Sequence, residues 1–271
     1  MAKLFSFASW NVEHFVNNRD RIRENIQFIS ESNPDVFAVF EVEGKDVFGS
    51  FVELMPTHNF FITEDLSKMA TLVGVNRQLT AFVTQRQELK SKVPTLRPGA
   101  LITLTINDEY YSVLFVHMKS SPNPHSWGLR DDMIGHVLGL KRALDKTPGA
   151  PPHGANFICM GDLNTMGMNV TYSDKDMTGA EELERYVKRF KPKKVRLLSK
   201  TSDYTWWGGS ESDYPPSNLD HALASDSLNF REFDGMEILV RGWPELPTEA
   251  EQSNWIKDHS DHAMLYGEVH D

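Results

Sequence analysis

Two polar side chains directly follow a stretch that predicts a buried strand. Residues 155–160 form an apolar run, Gly161 ends it, and Asp162 and Asn164 lie two positions apart after it. On an extended backbone, residues two positions apart point to the same side. A carboxylate can orient water or hold a hard cation, and an amide can donate and accept hydrogen bonds. The pair predicts a polar site at a sheet edge, although an Asx turn would give the same pattern.

Other predicted strands also end in asparagine, carboxylate or histidine. These further residues are Asn11, Glu41, His117, Asp220, Asp261 and His262. Each alone is explained by a cap, a turn, an exposed charge or a core histidine. Together they supply what phosphoester hydrolysis needs: ligands for a divalent cation that offsets the phosphate charge, a group that orients water, and partners for the phosphate oxygens.

Five motifs occur along the chain in the order found in the endonuclease/exonuclease/phosphatase superfamily, which this sequence resembles over nearly its whole length. The motifs are Trp10-Asn11, Pro34-Asp35 with the strand to Glu41, Gly161-Asp162-Leu163-Asn164, Leu219-Asp220-His221 and Ser260-Asp261-His262. The resemblance implies a four-layer α/β sandwich, in which two mixed β-sheets pack face to face with helices outside. It also implies a single domain over residues 1–271, with the site at one end of the sheets.

The resemblance implies roles for the metal-binding and water-activating residues. Glu41 would be the main Mg²⁺ ligand, with Mn²⁺ as a substitute ion, and Asn11 would lie beside it. Asp261 would lie near the metal. Asp162 would position or deprotonate a water molecule that attacks the phosphorus in line, with no covalent enzyme intermediate.

The resemblance also implies roles for the residues that contact the phosphate. Asn164 would hold a phosphate oxygen, and His262 would contact the phosphate or act as a base, oriented by Asp220. His117 matches a histidine that many members place at the end of this strand, as a phosphate ligand or general acid. Repair enzymes of the exonuclease III type often have another residue there.

Three further residues are candidates for substrate binding. Arg130 is expected to open a helix over residues 130–144, and the resemblance implies that it binds a substrate phosphate, because a helix in this place often contributes a basic residue in the family. Lys119 lies two positions after His117, although a solvated surface position is the alternative. Trp206, in an aromatic segment over residues 204–207, would stack on a base, although core packing is the alternative.

Composition limits the class of partner. The 271 residues carry a net charge of −10, which argues against a general electrostatic grip on nucleic acid. Eight cations without an intervening acid occur between Arg185 and Lys200, so this basic segment is either a polyanion contact or a solvated surface. The lone Cys159 allows no disulfide within the chain. Without a signal peptide or an apolar span, we expect a cytoplasmic protein with no membrane partner.

The leading hypothesis is a Mg²⁺-dependent phosphodiester hydrolase, a nuclease for which DNA is the expected substrate, with the choice between DNA and RNA open. The constellation of strand-end residues, the aromatic segment and the basic segment support it. The alternative is a phosphatase or phosphodiesterase for a small or lipid-linked phosphate, such as an inositol phosphate or a phospholipid head group, which the net acidity favours. A catalytically silent binding module is a third reading. Endonuclease or exonuclease action, metal count and oligomeric state stay open.

Overall fold

The computed structural model describes residues 2–64, 69–171 and 173–271, and it contains two mixed β-sheets. The first sheet has seven strands in the spatial order β11-β13-β1-β2-β4-β3, and β12 also pairs with β13. In this sheet only β1 and β2 run parallel. Its strands are β1 (Lys3–Phe15), β2 (Val36–Val42), β3 (His58–Ile62), β4 (Ala70–Asn76), β11 (Asn229–Phe230), β12 (Leu239–Arg241) and β13 (Met264–His270).

The second sheet has six strands in the order β5-β6-β7-β8-β10-β9. Here β7 and β8 are parallel, and the other neighbours are antiparallel. Its strands are β5 (Thr80–Arg86), β6 (Gly99–Ile106), β7 (Glu109–His117), β8 (Asn156–Asp162), β9 (Val195–Leu197) and β10 (Asp220–Ser225).

Helices cover the outer faces of both sheets, so the described residues form four layers. The α-helices are α1 (Arg19–Ser32), α2 (Lys45–Leu54), α3 (Pro124–Leu144), α4 (Gly179–Phe190) and α5 (Glu249–Asp258). Three short 3₁₀ helices span Gln87–Lys90, Lys191–Lys193 and Trp243–Glu245. The predicted four-layer sandwich is confirmed.

Three apolar clusters hold the layers together. The central one lies between the sheets, where Phe7 and Phe40 of the first sheet meet Phe115 and Met160 of the second. A second cluster packs α3 and α4 on the second sheet, and a third packs α1 and α2 on the first. Alternating side chains of each strand thus face either the central core or the outer helices. The strands are fixed on both faces, which makes their ends a rigid platform for polar groups.

Several predicted elements need correction. The helix predicted to begin at Arg130 begins at Pro124, because Asn123 caps it and Pro124 suits the first turn. Residues 204–207 form no strand and pair only through the isolated bridges of Trp206 with Ser217 and His262. Helices α2 and α5 were not predicted. Across the described residues, we find no helix long and apolar enough to span a membrane.

Candidate active site

A polar cavity of about 240 Å³ opens where strands of both sheets end. Eight of the eleven predicted site residues line it: Asn11, Glu41, His117, Asp162, Asn164, Trp206, Asp261 and His262. Asp220 lies directly behind His262 and bonds to it. Lys119 and Arg130 do not line the cavity. The structure therefore brings together nine residues that lie as far apart in sequence as Asn11 and His262.

Strand register places the carboxylate of Asp162 at the centre of this arrangement. His117 and Asp220 occupy the positions next to Asp162 on the two neighbouring strands, β7 and β10. Gly161 precedes it with a φ of +138°, and a Cβ atom there would lie 2.1 Å from the carbonyl oxygen of Val116. Only glycine tolerates this backbone and this close approach. The Gly-Asp pair thus reflects the local geometry that turns Asp162 into the cavity.

The amide of Asn11 links the two sheets at the site. Its Nδ2 atom lies 3.2 Å from Oε1 of Glu41 and 3.1 Å from Oδ2 of Asp162, and it donates to both. Its Oδ1 atom accepts the backbone N–H of Glu13 at 3.1 Å. In this arrangement the Asn11 nitrogen, and not its oxygen, faces the carboxylates. Asn11 therefore links the carboxylates of Glu41 and Asp162, and its place beside the metal stays a prediction.

Asp220 orients the His262 imidazole. The Nδ1 atom of His262 lies 2.8 Å from Oδ2 of Asp220, and its Nε2 atom lies 3.8 Å from Oδ2 of Asp162. Burial by itself lowers the pKa of His262, but the charges of Asp220 and Asp162 outweigh it and raise the pKa well above its ordinary value. The backbone N–H of His262 donates to Ser260 Oγ. Asp220 thus fixes the orientation of the His262 ring at the cavity, and the raised pKa favours its protonated form.

His117 is held close to two carboxylates but in a different charge state. Its Nε2 atom lies 3.4 Å from Asp162 Oδ2 and 3.6 Å from Glu41 Oε1. Burial, with further contributions from the charges of Arg97 and His262, lowers the pKa of His117 well below its ordinary value. A neutral imidazole can donate one hydrogen bond but is not an acid ready to give up a proton. The shifts in pKa of His117 and His262 are therefore opposite, and the two imidazoles suit different chemical roles.

Four carboxylates line the cavity, and none of the described lining residues is lysine or arginine. They are Glu13, Glu41, Asp162 and Asp261. Burial raises the pKa of Asp162 to about 7, against the opposing charge of His262. Oδ1 of Asp261 is buried and has no hydrogen-bond partner among the described residues. Buried carboxylate oxygens without a counter-charge are costly, and oxygen-rich donor sets are those that hard divalent cations prefer. The residues present fit such a cation.

A second donor set overlaps the first. One ligand atom from each of Asp162, Asp220 and His262 falls within 4.8 Å of the others. Asp220 and His262 already bond to each other at 2.8 Å. Both oxygens of Glu41 accept hydrogen bonds, from Asn11 Nδ2 and the backbone N–H of His14. A cation at Glu41 and Asp261 stays a prediction. Glu41 holds a left-handed φ of +63°, an uncommon conformation that favours a functional reading of this carboxylate.

Asn164 and Trp206 complete the cavity wall. Asn164 has a φ of +49°, and its side-chain nitrogen donates to the carbonyl oxygen of Met118 at 3.2 Å. Trp206 is half-buried, and its Nε1 atom donates to Oδ2 of Asp261 at 2.6 Å. This bond orients Asp261, so the indole is neither fully in the core nor free on the surface.

Arg130 does not contact substrate here. Its side chain is fully buried and donates to both carboxylate oxygens of Glu182, at 2.8 and 2.9 Å. It also donates to the carbonyl oxygens of Lys119, Ser121 and Gly167. The sequence interpretation was wrong because it placed Arg130 in the first turn of its helix, whereas it lies in the second.

Lys119 is half-buried beside the site but does not line the cavity. Burial, together with the charges of Arg97 and Arg130, lowers the pKa of its ammonium group. Its contact with a substrate phosphate stays a prediction. The backbone of Lys119 has a clearer role, since its carbonyl oxygen is one of the acceptors that hold Arg130 in place.

Most of the basic segment between Arg185 and Lys200 is engaged within the chain. Arg185 and Arg189 both pair with Asp131, and Lys188 pairs with Glu184. Further along, Arg196 pairs with Glu237. The remaining lysines, at positions 191, 193 and 194, follow the C-terminal end of α4, away from the cavity. The segment therefore provides no concentrated positive surface at the site.

Lys200 gives a testable pH dependence of stability. Its Nζ atom donates to the carbonyl oxygen of Asp220 at 2.7 Å, and burial lowers its pKa from 10.5 to about 8. Between pH values of about 8 and 10.5, the Lys200 side chain is protonated in the unfolded chain and has released that proton in the folded chain. The free energy of unfolding therefore rises with pH in this window, by up to about 3 kcal/mol. Urea unfolding from pH 7.5 to 10.5 would measure the free energy of unfolding of wild type and of Lys200→Met. It should rise with pH more steeply in wild type, and the same pH dependence in both proteins would contradict the prediction.

The sequence analysis missed Glu13 and His14, which also line the cavity. Glu13 lies two positions after Asn11, which is the same spacing that identified Asp162 and Asn164, so the signal was present. Burial and the nearby Asp261 raise the pKa of Glu13. The sequence around His14 contains no such spacing signal. Its Nδ1 atom lies 2.6 Å from Glu43.

Comparisons with known proteins agree with this geometry. The Endonuclease/Exonuclease/phosphatase family matches residues 8–240. Among curated proteins none matches. A truncated TDP2 from Caenorhabditis elegans is similar in structure, with a TM-score of 0.67 and 13% identity over 98% of each chain.

Two other similar solved structures belong to proteins that act on different phosphoesters. TDP2 from D. rerio, complexed with a single-strand DNA product, has a TM-score of 0.66 and 15% identity over 98% of this chain and 99% of that one. A mannosyl-6-phosphatase from Bacteroides thetaiotaomicron has a TM-score of 0.61 and 13% identity over 98% of this chain and all of the other. At these identities the likeness shows the fold. With the family match over most of its length, the chain belongs to the endonuclease/exonuclease/phosphatase family of metal-dependent phosphoric ester hydrolases.

Proposed function

We propose that this chain hydrolyses a phosphoester in one step, by in-line attack of water, with Mg²⁺ as the cation. The observation that carries the proposal is the pairing of a carboxylate-lined cavity with an imidazolium fixed at its wall by Asp220. Glu41 and Asp261 would hold the cation, which offsets the charge of the phosphate when bound. Mn²⁺, with similar ligand preferences, would substitute.

The chain's own residues divide the remaining work. Asp162 faces the cavity between Asn11 and His117, from where its carboxylate can accept a proton from the attacking water. His262 places a positive charge against the phosphate oxygens, and Asn164 contributes a polar wall on the same side. Its lowered pKa suits His117 to a hydrogen bond with a phosphate oxygen, and the leaving oxygen would take up its proton from solvent. These roles involve no covalent intermediate.

The charge of the surroundings favours a phosphoester with an uncharged organic part as the substrate. No lysine or arginine lies among the described residues that line the catalytic cavity or the larger apolar cavity beside it. A polynucleotide carries a phosphate at every residue, and proteins that bind it usually neutralise several of them with cations. A small or lipid-linked phosphoester needs one phosphate site only.

DNA is the second candidate substrate. Trp206 at the cavity wall and the exposed Tyr204 and Tyr214 offer aromatic faces on which bases of a single strand stack without requiring positive charge. The similar TDP2 structure with a single-strand DNA product also supports this candidate. The neutralised basic segment and the net charge of −10 weigh against duplex binding.

A metal-dependent hydrolysis panel tests the proposal. We expect EDTA to abolish activity, and Mg²⁺ or Mn²⁺ to restore it, because the clustered carboxylates need a cation before an anionic phosphate can approach. The panel contains bis(4-nitrophenyl) phosphate, alkyl phosphodiesters, single- and double-stranded DNA, and RNA, each with wild type and Asp162→Asn. Activity that persists in EDTA would contradict the proposed chemistry. Cleavage of single-stranded DNA alone would move DNA to first place.

A further inference from the structure

An apolar groove of about 850 Å³ opens directly beside the catalytic cavity. Three residues line both spaces: Met166, Trp206 and Leu219. The two spaces are therefore adjacent, which puts the groove within reach of a molecule whose phosphate lies in the catalytic cavity. The volume is in the range of small-molecule binding sites, about 300–1,000 Å³.

One wall of the groove is a second apolar stripe on helix α4. The helix buries Glu182, Tyr186 and Phe190 against the sheet. Leu183 and Val187 lie at i and i+4 on another face, line the groove and are only half-buried. Neither belongs to the three apolar clusters of the described core. Because Leu183 and Val187 do not pack in the core, packing does not explain why they are apolar, whereas contact with an apolar ligand in the groove would.

The remaining walls have the same character. Pro122, Met166 and Leu197 line the groove with aliphatic surface, and Trp206, Tyr214 and Pro215 also line it. Among the described residues that line the groove, Glu184 is the only charged one, and it is exposed and pairs with Lys188. Such a groove would exclude a chain of phosphates and accept an uncharged group.

From this placement we infer that the groove binds the uncharged apolar group, an alkyl chain or ring, of the same phosphoester whose phosphate occupies the catalytic cavity. The inference rests on the proposed hydrolysis and specifies its substrate class. Thr165 supports it structurally, since it follows the catalytic Asn164 and lines the groove floor. One rigid segment, residues 162–166, therefore sets the distance between the phosphate site and the apolar site.

Binding of a homologous series tests the inference. Calorimetry with the full chain and Mg²⁺ would measure affinity for methyl, propyl, butyl and hexyl phosphate, in an Asp162→Asn background so that the ligands are not hydrolysed during the titration. We expect affinity to rise about two- to fourfold per added methylene, because each one leaves water for apolar surface. In the double variant Leu183→Asn/Val187→Thr, this rise should fall to less than half, while affinity for methyl phosphate stays the same. Lys188→Gln, on the outer face of the same helix, is the matched control and should behave as wild type.

The outcomes separate the groove from the catalytic proposal. If the four alkyl phosphates bound with equal affinity to the chain with its groove unchanged, and metal-dependent hydrolysis by wild type were intact, the groove assignment alone would be overturned. If none of the alkyl phosphates bound, and the hydrolysis panel showed no activity, both the groove assignment and the proposed hydrolysis would be overturned. If thymidine 5′-monophosphate bound more tightly than hexyl phosphate, and only its affinity fell in the double variant, the groove would be a nucleobase site and the alkyl assignment wrong.

Discussion

Replacing Asp162 with asparagine is expected to lower kcat by about a thousandfold while leaving the fold intact, since loss of a positioned proton acceptor typically costs about 10²–10⁴ in rate. The asparagine side chain is nearly isosteric but has one oxygen, so only one of two donors keeps its acceptor: Asn11 Nδ2, which bonds to Oδ2, or the backbone N–H of Asn164, which bonds to Oδ1. Burial raises the pKa of Asp162 to about 7, which means that the folded protein disfavours its charge. The lost hydrogen bond and the removed charge oppose each other, so the free energy of unfolding should change by no more than about 1 kcal/mol.

Steady-state kinetics on bis(4-nitrophenyl) phosphate and thermal unfolding in EDTA measure the two effects separately. Asp35→Asn is the matched control, because Asp35 lies at the opposite end of the first sheet, where it accepts hydrogen bonds from Ser6. That variant should lose stability and keep its turnover. Near wild-type kcat in Asp162→Asn would show that another group accepts the proton.

Replacing Arg130 with methionine is expected to destabilise the protein by about 3–5 kcal/mol, the usual cost of breaking a fully buried ion pair. The variant leaves the Glu182 carboxylate in the interior without its cation, and it also removes the donors for three backbone carbonyls. Glu182 would keep its bonds from the Gly167 N–H and from the Tyr186 hydroxyl. Urea unfolding measures the loss directly.

A double-mutant cycle shows whether the pair itself is the cause. Arg130→Met with Glu182→Leu should cost less than the sum of the two single changes, because the uncompensated buried charge is gone. Arg185→Met is the control, since Arg185 is half-exposed and its pair with Asp131, at 3.5 Å, should contribute at most about 1 kcal/mol. Additive effects in the cycle would place the stabilisation in the carbonyl contacts instead.

The strand-end residues were predictable because their signal is local. Alternation and apolar runs mark where strands end, and the residue after each end must be polar if it faces a cavity. The N-terminus of α4 was predictable for the same reason: Thr178 and Glu181 form the capping box that their spacing indicates. Only the structure shows that β7, β8 and β10 are neighbours, in a register that aligns His117, Asp162 and Asp220.

The sequence by itself thus determined the fold class, the order of the catalytic motifs and most of the residues around the cavity. Tertiary structure decided what the charged and apolar side chains between these motifs do. Arg130 became a buried structural residue because Glu182, 52 positions away, meets it in the interior. Leu183 and Val187 became part of a groove wall because the packed layers bring them around the same space as Trp206 and Tyr214. Local patterns report on the backbone, whereas burial and pairing depend on residues that only the packed layers bring together.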